Sequence, residues 1–185
     1  MTNKHFYSWN DIENMCLTIT NQMYKDRWLP DYIVGITRGG NIPATIISNM
    51  LNVPCETLKV SLRDDSKLES NAWMAEDAFG SNTGEKVKGS RWDPSLRKNI
   101  LIVDDINDTG ATFNWIVDDW QKSCFPNEDS PWNTVWGKNV RFAVLTDNLA
   151  SQFKMCVNYC CHSINKSEKD VWLVYPWENV GQYNA

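Results

Sequence analysis

The sequence predicts an α/β domain built on a mainly parallel, twisted sheet flanked by helices. Three observations carry that expectation. Short apolar runs alternate with segments of helical periodicity through most of the chain, the pattern of strand–helix–strand units. Two loops rich in glycine and charge, residues 37–40 and 104–112, each follow an apolar run directly. Ligands of such sheets bind where the strands end. No internal repeat or low-complexity tract points to another architecture.

The elements follow in order. Ser8, Asn10 and Asp11 offer helix caps, and Glu13 suits the first turn. Ile12, Met15, Cys16, Ile19 and Met23 recur at helical spacing up to about Trp28, and Pro30 ends that helix. Tyr32-Ile33-Val34-Gly35-Ile36 is a buried strand. Pro43 suits the first turn of a helix that ends near Asn52. Residues 57–60 make a second strand. Residues 63–98 turn polar, with Gly80, Gly84, Gly89 and Pro94 and no clear period. They predict a long flexible loop with an insertion and a short helix near 72–79. Ile100-Leu101-Ile102-Val103 is the next strand, followed by an acidic loop. A helix from about Thr112 to Lys122 carries Phe113, Ile116, Val117 and Trp120. Residues 126–138 predict an inserted loop and 140–145 a strand. Apolar runs at 157–161 and 171–174 close the chain.

Composition narrows the function. The 185 residues fit one domain, and 42% hydrophobic residues suffice for an ordinary core. A formal net charge of −5 argues against a general affinity for nucleic acid or anionic lipid. No apolar stretch reaches the roughly 18–20 residues of a membrane helix. The N-terminus lacks the apolar core of a signal peptide. The expectation is a cytoplasmic protein with no nucleic-acid or membrane partner. The six cysteines form no Cys-x-x-Cys or Cys-x-x-His pair, so they are expected as small hydrophobes rather than zinc ligands. His5 and His162 stand alone in the sequence.

The chemistry lies in the two loops. Asp104, Asp105 and Asp108 crowd three carboxylates into NILIVDDINDTGAT, and like charges so close need a compensating partner. Thr109 and Thr112 supply hydroxyls. Gly110 lets the backbone approach a ligand, and the free N–H groups of a starting helix face outward. That combination cradles a phosphate. Asp104 and Asp105 accept hydrogen bonds from vicinal hydroxyls and can engage a hydrated Mg²⁺. Cradle and acceptors together describe a receptor for a ribose 5-phosphate. Arg38, with the N–H groups of Gly39 and Gly40, suits a second phosphate group.

The segment Ile102-Val103-Asp104-Asp105-Ile106-Asn107-Asp108-Thr109-Gly110-Ala111-Thr112 resembles the phosphoribosyl-pyrophosphate motif of type I phosphoribosyltransferases. Three further segments resemble the bacterial xanthine-guanine phosphoribosyltransferases of that family, in the same order. These are Tyr7-Ser8-Trp9-Asn10, residues 33–44 (IVGITRGGNIPA) and residues 170–178 (DVWLVYPWE).

The resemblance implies the type I phosphoribosyltransferase-like fold, with a small base-binding hood formed by the chain ends, residues 156–185. It implies a single domain over 1–185 and a homo-oligomer. It implies Mg²⁺-dependent transfer from 5-phosphoribosyl 1-pyrophosphate to a purine. Asp104 and Asp105 would hold the ribose hydroxyls and the metal shell. Asp108 would be the catalytic base. Thr109, Gly110, Ala111 and Thr112 would hold the 5-phosphate, and Arg38 and Gly39 the pyrophosphate, with a cis peptide before Arg38. Trp172 would stack on the base and the Leu173 backbone would meet its exocyclic group.

Two departures stand out. Asp147 takes the place of a lysine that meets the purine 6-oxo group, which admits a 6-amino or altered base. Lys154 or Lys138 is then a candidate substitute. Leu62-Arg63 replace the family's serine–tyrosine-like pair, leaving Arg63, Lys67 or Arg91 to bring charge to pyrophosphate. A regulatory protein that senses phosphoribosyl pyrophosphate without turnover is the alternative of a different class.

Overall fold

The computed structural model describes residues 3–60, 72–80, 92–124, 129–169 and 171–179. Ten of its elements form the main body. They are α1 (Trp9–Lys25), β2 (Tyr32–Thr37), α2 (Asn41–Leu51), β3 (Cys55–Lys59), α3 (Ala72–Phe79), β4 (Ile100–Asn107), α4 (Ala111–Ser123), α5 (Asp129–Trp132), β5 (Val140–Asn148) and β6 (Tyr159–Ile164). The five strands are parallel, in the order β3-β2-β4-β5-β6. The chain ends supply β1 (Asn3–Phe6) and β7 (Val171–Val174), which pair in parallel as a separate two-stranded sheet.

Strand alternation builds two cores. Ile33, Leu101, Val103, Ala143 and Leu145 pack with Ile12, Cys16, Ile19, Ala44 and Ile47 of α1 and α2. Val34, Ile102, Phe142 and Val144 face the other way, toward Met74 and Phe79 of α3 and Phe113, Ile116 and Trp120 of α4. A parallel sheet covered on both faces explains why 100–103 is apolar without alternation. Within the described residues, no helix is long and apolar enough to cross a membrane.

Local chemistry sets several boundaries. Ser8, not Asn10, caps α1. Its hydroxyl accepts the Asp11 N–H at 3.2 Å, and the Asp11 carboxylate accepts the Ser8 N–H at 2.7 Å, a reciprocal capping box. The helix ends at Lys25, before Trp28.

The structure also corrects the expectation of an acidic loop from Asp104. β4 continues to Asn107, because its backbone pairs with β5 through Asp104–Val144, Ile106–Thr146 and Asn107–Asp147. The stretch 126–138, expected as a loop, holds α5 and buries Trp132, Val135 and Trp136. Trp132 packs against Phe79, and Trp136 against Trp120 and Phe142. The short helix expected near 72–79 is α3. Arg63, Lys67 and Arg91 lie outside the described residues.

Candidate active site

β2 and β4 are neighbours, yet their chains depart in opposite directions, β2 toward β3 and β4 toward β5. Such a reversal opens a crevice at the carboxyl ends of the two strands. Both predicted loops meet there. The Thr37–Arg38 peptide is cis, as the resemblance implies. Arg38 is exposed. A Cβ on Gly39 would stand 2.0 Å from Asp105 Oδ2, and one on Gly40 would stand 2.4 Å from the Val103 carbonyl oxygen. The 37–40 loop therefore lies directly on the acidic end of β4, and only glycine permits that approach.

Asp104 and Asp105 line a cavity of about 210 Å³ formed by residues 104–113. The Asp105 N–H donates to Asp104 Oδ1 at 2.9 Å, and the Ile106 N–H donates to Asp105 Oδ1 at 2.8 Å. Tyr175 donates its hydroxyl to the Asp105 carbonyl at 3.1 Å. Burial raises the Asp104 carboxyl well above the usual carboxylate range, and the charge of Asp105 raises it further. Burial also raises Asp105. A half-buried acidic pair of this kind calls for a ligand that donates hydrogen bonds, or for a cation.

The residues fit a hydrated Mg²⁺ held jointly with a ligand. Two carboxylates are at hand, and among the described residues no group of three or more His, Cys, Asp or Glu gathers to hold a metal alone. Mg²⁺ is commonly bound through one or two carboxylates plus substrate oxygens.

Beyond Asp108 the backbone turns into α4. Gly110 is the N-cap, with φ 86° and no side-chain cap bond; the Ala111 N–H donates to Thr109 Oγ1 at 3.3 Å, and a helix start leaves its other first-turn N–H groups without intrahelical acceptors. Thr109 and Ala111 are exposed and Thr112 is half-buried at this mouth. The segment after β5 braces the turn. Gln152 donates its N–H to the Thr109 carbonyl at 2.9 Å, and Asn114 Nδ2 donates to the Gln152 carbonyl at 2.9 Å.

Asp108 has partners that the sequence did not reveal. Lys166 Nζ lies 2.9 Å from its Oδ1. Asn148 Nδ2 donates to the Asp108 carbonyl at 2.9 Å and to Oδ1 at 3.3 Å. Asn148 Oδ1 accepts the Lys166 N–H at 3.1 Å. Asp147 is also occupied, accepting from Asn107 Nδ2 at 2.8 Å, while Ser151 donates to Asn107 Oδ1 at 3.1 Å. The two lysines considered as substitutes sit elsewhere. Lys154 pairs with Asp118 at 3.7 Å on the surface, and Lys138 precedes β5, at the end of the sheet away from the site. The sequence clue to Asn148 was its place at the β5 exit; nothing local marked Lys166.

Trp172 and Leu173 lie on opposite faces of β7. Trp172 is 60% exposed while Leu173 is buried, so Trp172 is not a core residue of the last strand. His5 and His162, solitary in sequence, both meet the Tyr7 ring, at centroid distances of 4.7 Å and 6.4 Å. They line a second cavity of about 710 Å³ between the β1–β7 sheet and the end of β6.

The family model described as "Phosphoribosyl transferase domain" matches residues 3–174. The chain belongs to the phosphoribosyltransferase family. A xanthine phosphoribosyltransferase 1 of Saccharomyces cerevisiae is 25% identical, spanning 94% of this chain and 88% of the relative. A hypoxanthine-guanine phosphoribosyltransferase of Schizosaccharomyces pombe is 28% identical, again over 94% and 88%. Among solved structures, a Helicobacter pylori xanthine-guanine-hypoxanthine phosphoribosyltransferase superposes with a TM-score of 0.62 at 18% identity, covering 98% of this chain and 97% of that one. A purine phosphoribosyltransferase of Pyrococcus horikoshii gives 0.61 at 20% identity, over 95% and 94%. These phosphoribosyltransferases share the fold of this chain.

Proposed function

We propose that this chain transfers the phosphoribosyl group of 5-phosphoribosyl 1-pyrophosphate to a ring nitrogen of a guanine-, xanthine- or hypoxanthine-like purine. The products are a nucleoside monophosphate and pyrophosphate. One observation carries this reading. A single small cavity joins a half-buried carboxylate pair to a helix N-terminus without a side-chain cap on its N-cap residue, and a glycine loop bearing Arg38 lies against it. Ribose hydroxyls, a 5-phosphate and a pyrophosphate each find a chemically matched surface there. The activities for which these relatives are named support the same reading.

Each residue then has a task. Asp104 and Asp105 accept the ribose hydroxyls and would hold Mg²⁺, which when bound offsets the charge of the departing pyrophosphate. The N–H groups at Thr109, Gly110, Ala111 and Thr112 hold the 5-phosphate. As the base nitrogen bonds to C1, the bond from C1 to the pyrophosphate oxygen breaks. Arg38 and the Gly39 N–H stabilise the negative charge that develops there. Positive charge grows on the sugar at the same moment, and the nearby carboxylates favour it. Asp108 takes the proton that the base gives up. Trp172 offers an exposed ring for stacking, and the Leu173 backbone lies one residue on. Asp147 serves the site through Asn107 rather than by direct contact.

The test is direct. The full chain is incubated with phosphoribosyl pyrophosphate, Mg²⁺ and, separately, hypoxanthine, guanine and xanthine, and pyrophosphate release is followed. Turnover with at least one base is expected. Tight binding of phosphoribosyl pyrophosphate with no turnover on any base would refute the enzyme and favour a sensor.

A further inference from the structure

We infer that Asn148 is a positioning residue for the transfer: it fixes the Asp108 carboxylate through one oxygen and leaves the other, Oδ2, to take the proton from the base. The inference rests on the function proposed above and deepens the role given there to Asp108.

The placement follows from the sheet. β5 lies between β4 and β6, and Asn148 is its last residue. The neighbouring strands end at Asn107 and Ile164. Asp108 and Lys166 therefore stand just past two strand ends, and one side chain at the end of the middle strand reaches both. Asn148 is 6% exposed, so its amide has to be satisfied within the protein. Nδ2 donates to the Asp108 carbonyl at 2.9 Å and to Asp108 Oδ1 at 3.3 Å. Oδ1 of Asn148 accepts the Ala150 N–H at 3.2 Å and the Lys166 N–H at 3.1 Å. Two backbone N–H groups on one side and a backbone carbonyl on the other admit only this orientation of the amide.

The consequence falls on Asp108. It is exposed, and an exposed aspartate turns readily about its side-chain bonds. Here the Asn148 amide and the Lys166 ammonium, 2.9 Å away, both bond to Oδ1. An oxygen paired with a cation and an amide is the poorer proton acceptor, so the proton leaving the ring nitrogen goes to Oδ2, which becomes O–H. Asn148 also holds the Lys166 backbone, so it sets the ammonium as well as the carboxylate. A proton acceptor must lie within hydrogen-bond reach of its proton, and a misplacement of about 1 Å can cost about 10²-fold in rate.

The experiment is a double-mutant cycle between Asn148→Ser and Asp108→Asn in the full chain. The base is whichever of hypoxanthine, guanine and xanthine the wild type uses best. Single-turnover rates at saturating substrates separate the chemical step from product release. Ser leaves space for water to reach the freed backbone groups. Asn148→Ser is expected to slow the chemical step about ten- to hundredfold, while phosphoribosyl pyrophosphate binds within about threefold of wild type by calorimetry. In the Asp108→Asn background the same change should slow it by no more than about threefold, because residues that act as a unit are not additive. Asn148→Asp keeps the shape and the two N–H acceptors but cannot donate to Asp108. It should slow the step at least as far as Ser, which keeps the comparison valid where Ser disturbs the fold.

Loss by the same factor in both backgrounds, or a wild-type rate in Asn148→Asp, overturns the positioning role and leaves the proposed function standing. A wild type that binds phosphoribosyl pyrophosphate but turns over none of the three bases overturns both.

Discussion

At the scale of single residues, the site depends on atoms brought together from distant parts of the chain. Asp108 is exposed, yet its carboxylate is held between Lys166 and Asn148. An exposed aspartate has many rotamers; this one is oriented by donors on two other segments. Its replacement tests the assigned role with little change in shape. Asp108→Asn keeps an oxygen for Asn148 but cannot accept the proton from the base. The turnover number is expected to fall about 10²–10⁴-fold, the usual contribution of a positioned general base, while phosphoribosyl pyrophosphate binds within a few-fold of wild type by calorimetry. Unchanged turnover would remove Asp108 from the mechanism. Arg38 was a functional candidate from the sequence and Trp172 from the resemblance, and the structure shows both exposed. Lys166 was not, because its partner is remote in sequence and a lysine in a polar loop carries no local signal.

Among the elements, β4 and α4 share one turn, and that turn is where the sequence reading lost its boundary. Aspartate disfavours strands, so Asp104 and Asp105 looked like the end of β4. Pairing with β5 continues to Asn107 because backbone bonds, not side-chain preference, set the end of a central strand. Gly110 then reverses the chain with φ 86°, and an added Cβ would stand 2.3 Å from the Phe153 nitrogen. Gly110→Ala must therefore move either α4 or the 151–153 segment. A loss of about 2 kcal/mol in urea unfolding is expected, within the range for a side chain forced into a sparsely populated backbone region, together with a raised KM for phosphoribosyl pyrophosphate. A variant as stable as wild type and with normal KM would show that the cradle tolerates displacement. β1 escaped the sequence reading for a different reason. Asn3–Phe6 is exposed along its whole length, so it shows no alternation, and only its partner β7 makes it a strand.

Over the whole molecule, the sheet is a rigid frame and the site is assembled at its edge of departing loops. The two apolar cores lie on opposite faces of the sheet. Tyr175, beyond β7, ties the chain-end sheet to β4 through the Asp105 carbonyl, which links the proposed base side to the proposed ribose side. The proposed Mg²⁺ belongs to the ligand rather than to the frame, since among the described residues no cluster of three or more metal-binding side chains exists. Chelation with EDTA should therefore abolish pyrophosphate release while leaving the circular dichroism spectrum and melting temperature of the free chain unchanged. Unfolding on chelation would instead reveal a structural metal.

The sequence by itself determined the fold class and the chemistry of the phosphoribosyl donor. Both rest on contiguous residues: strand periodicity is local, and a strand–turn–helix segment carries its carboxylates, its glycine and its proposed phosphate cradle together. The tertiary structure decided the surroundings of the proposed base side. It seated the 37–40 loop on Asp105, engaged Asp147 with Asn107, exposed Trp172, and set Lys166 against Asp108. Those relations join segments far apart in the chain, and a side chain's partner across such a distance is set by packing and strand register, which no local pattern encodes.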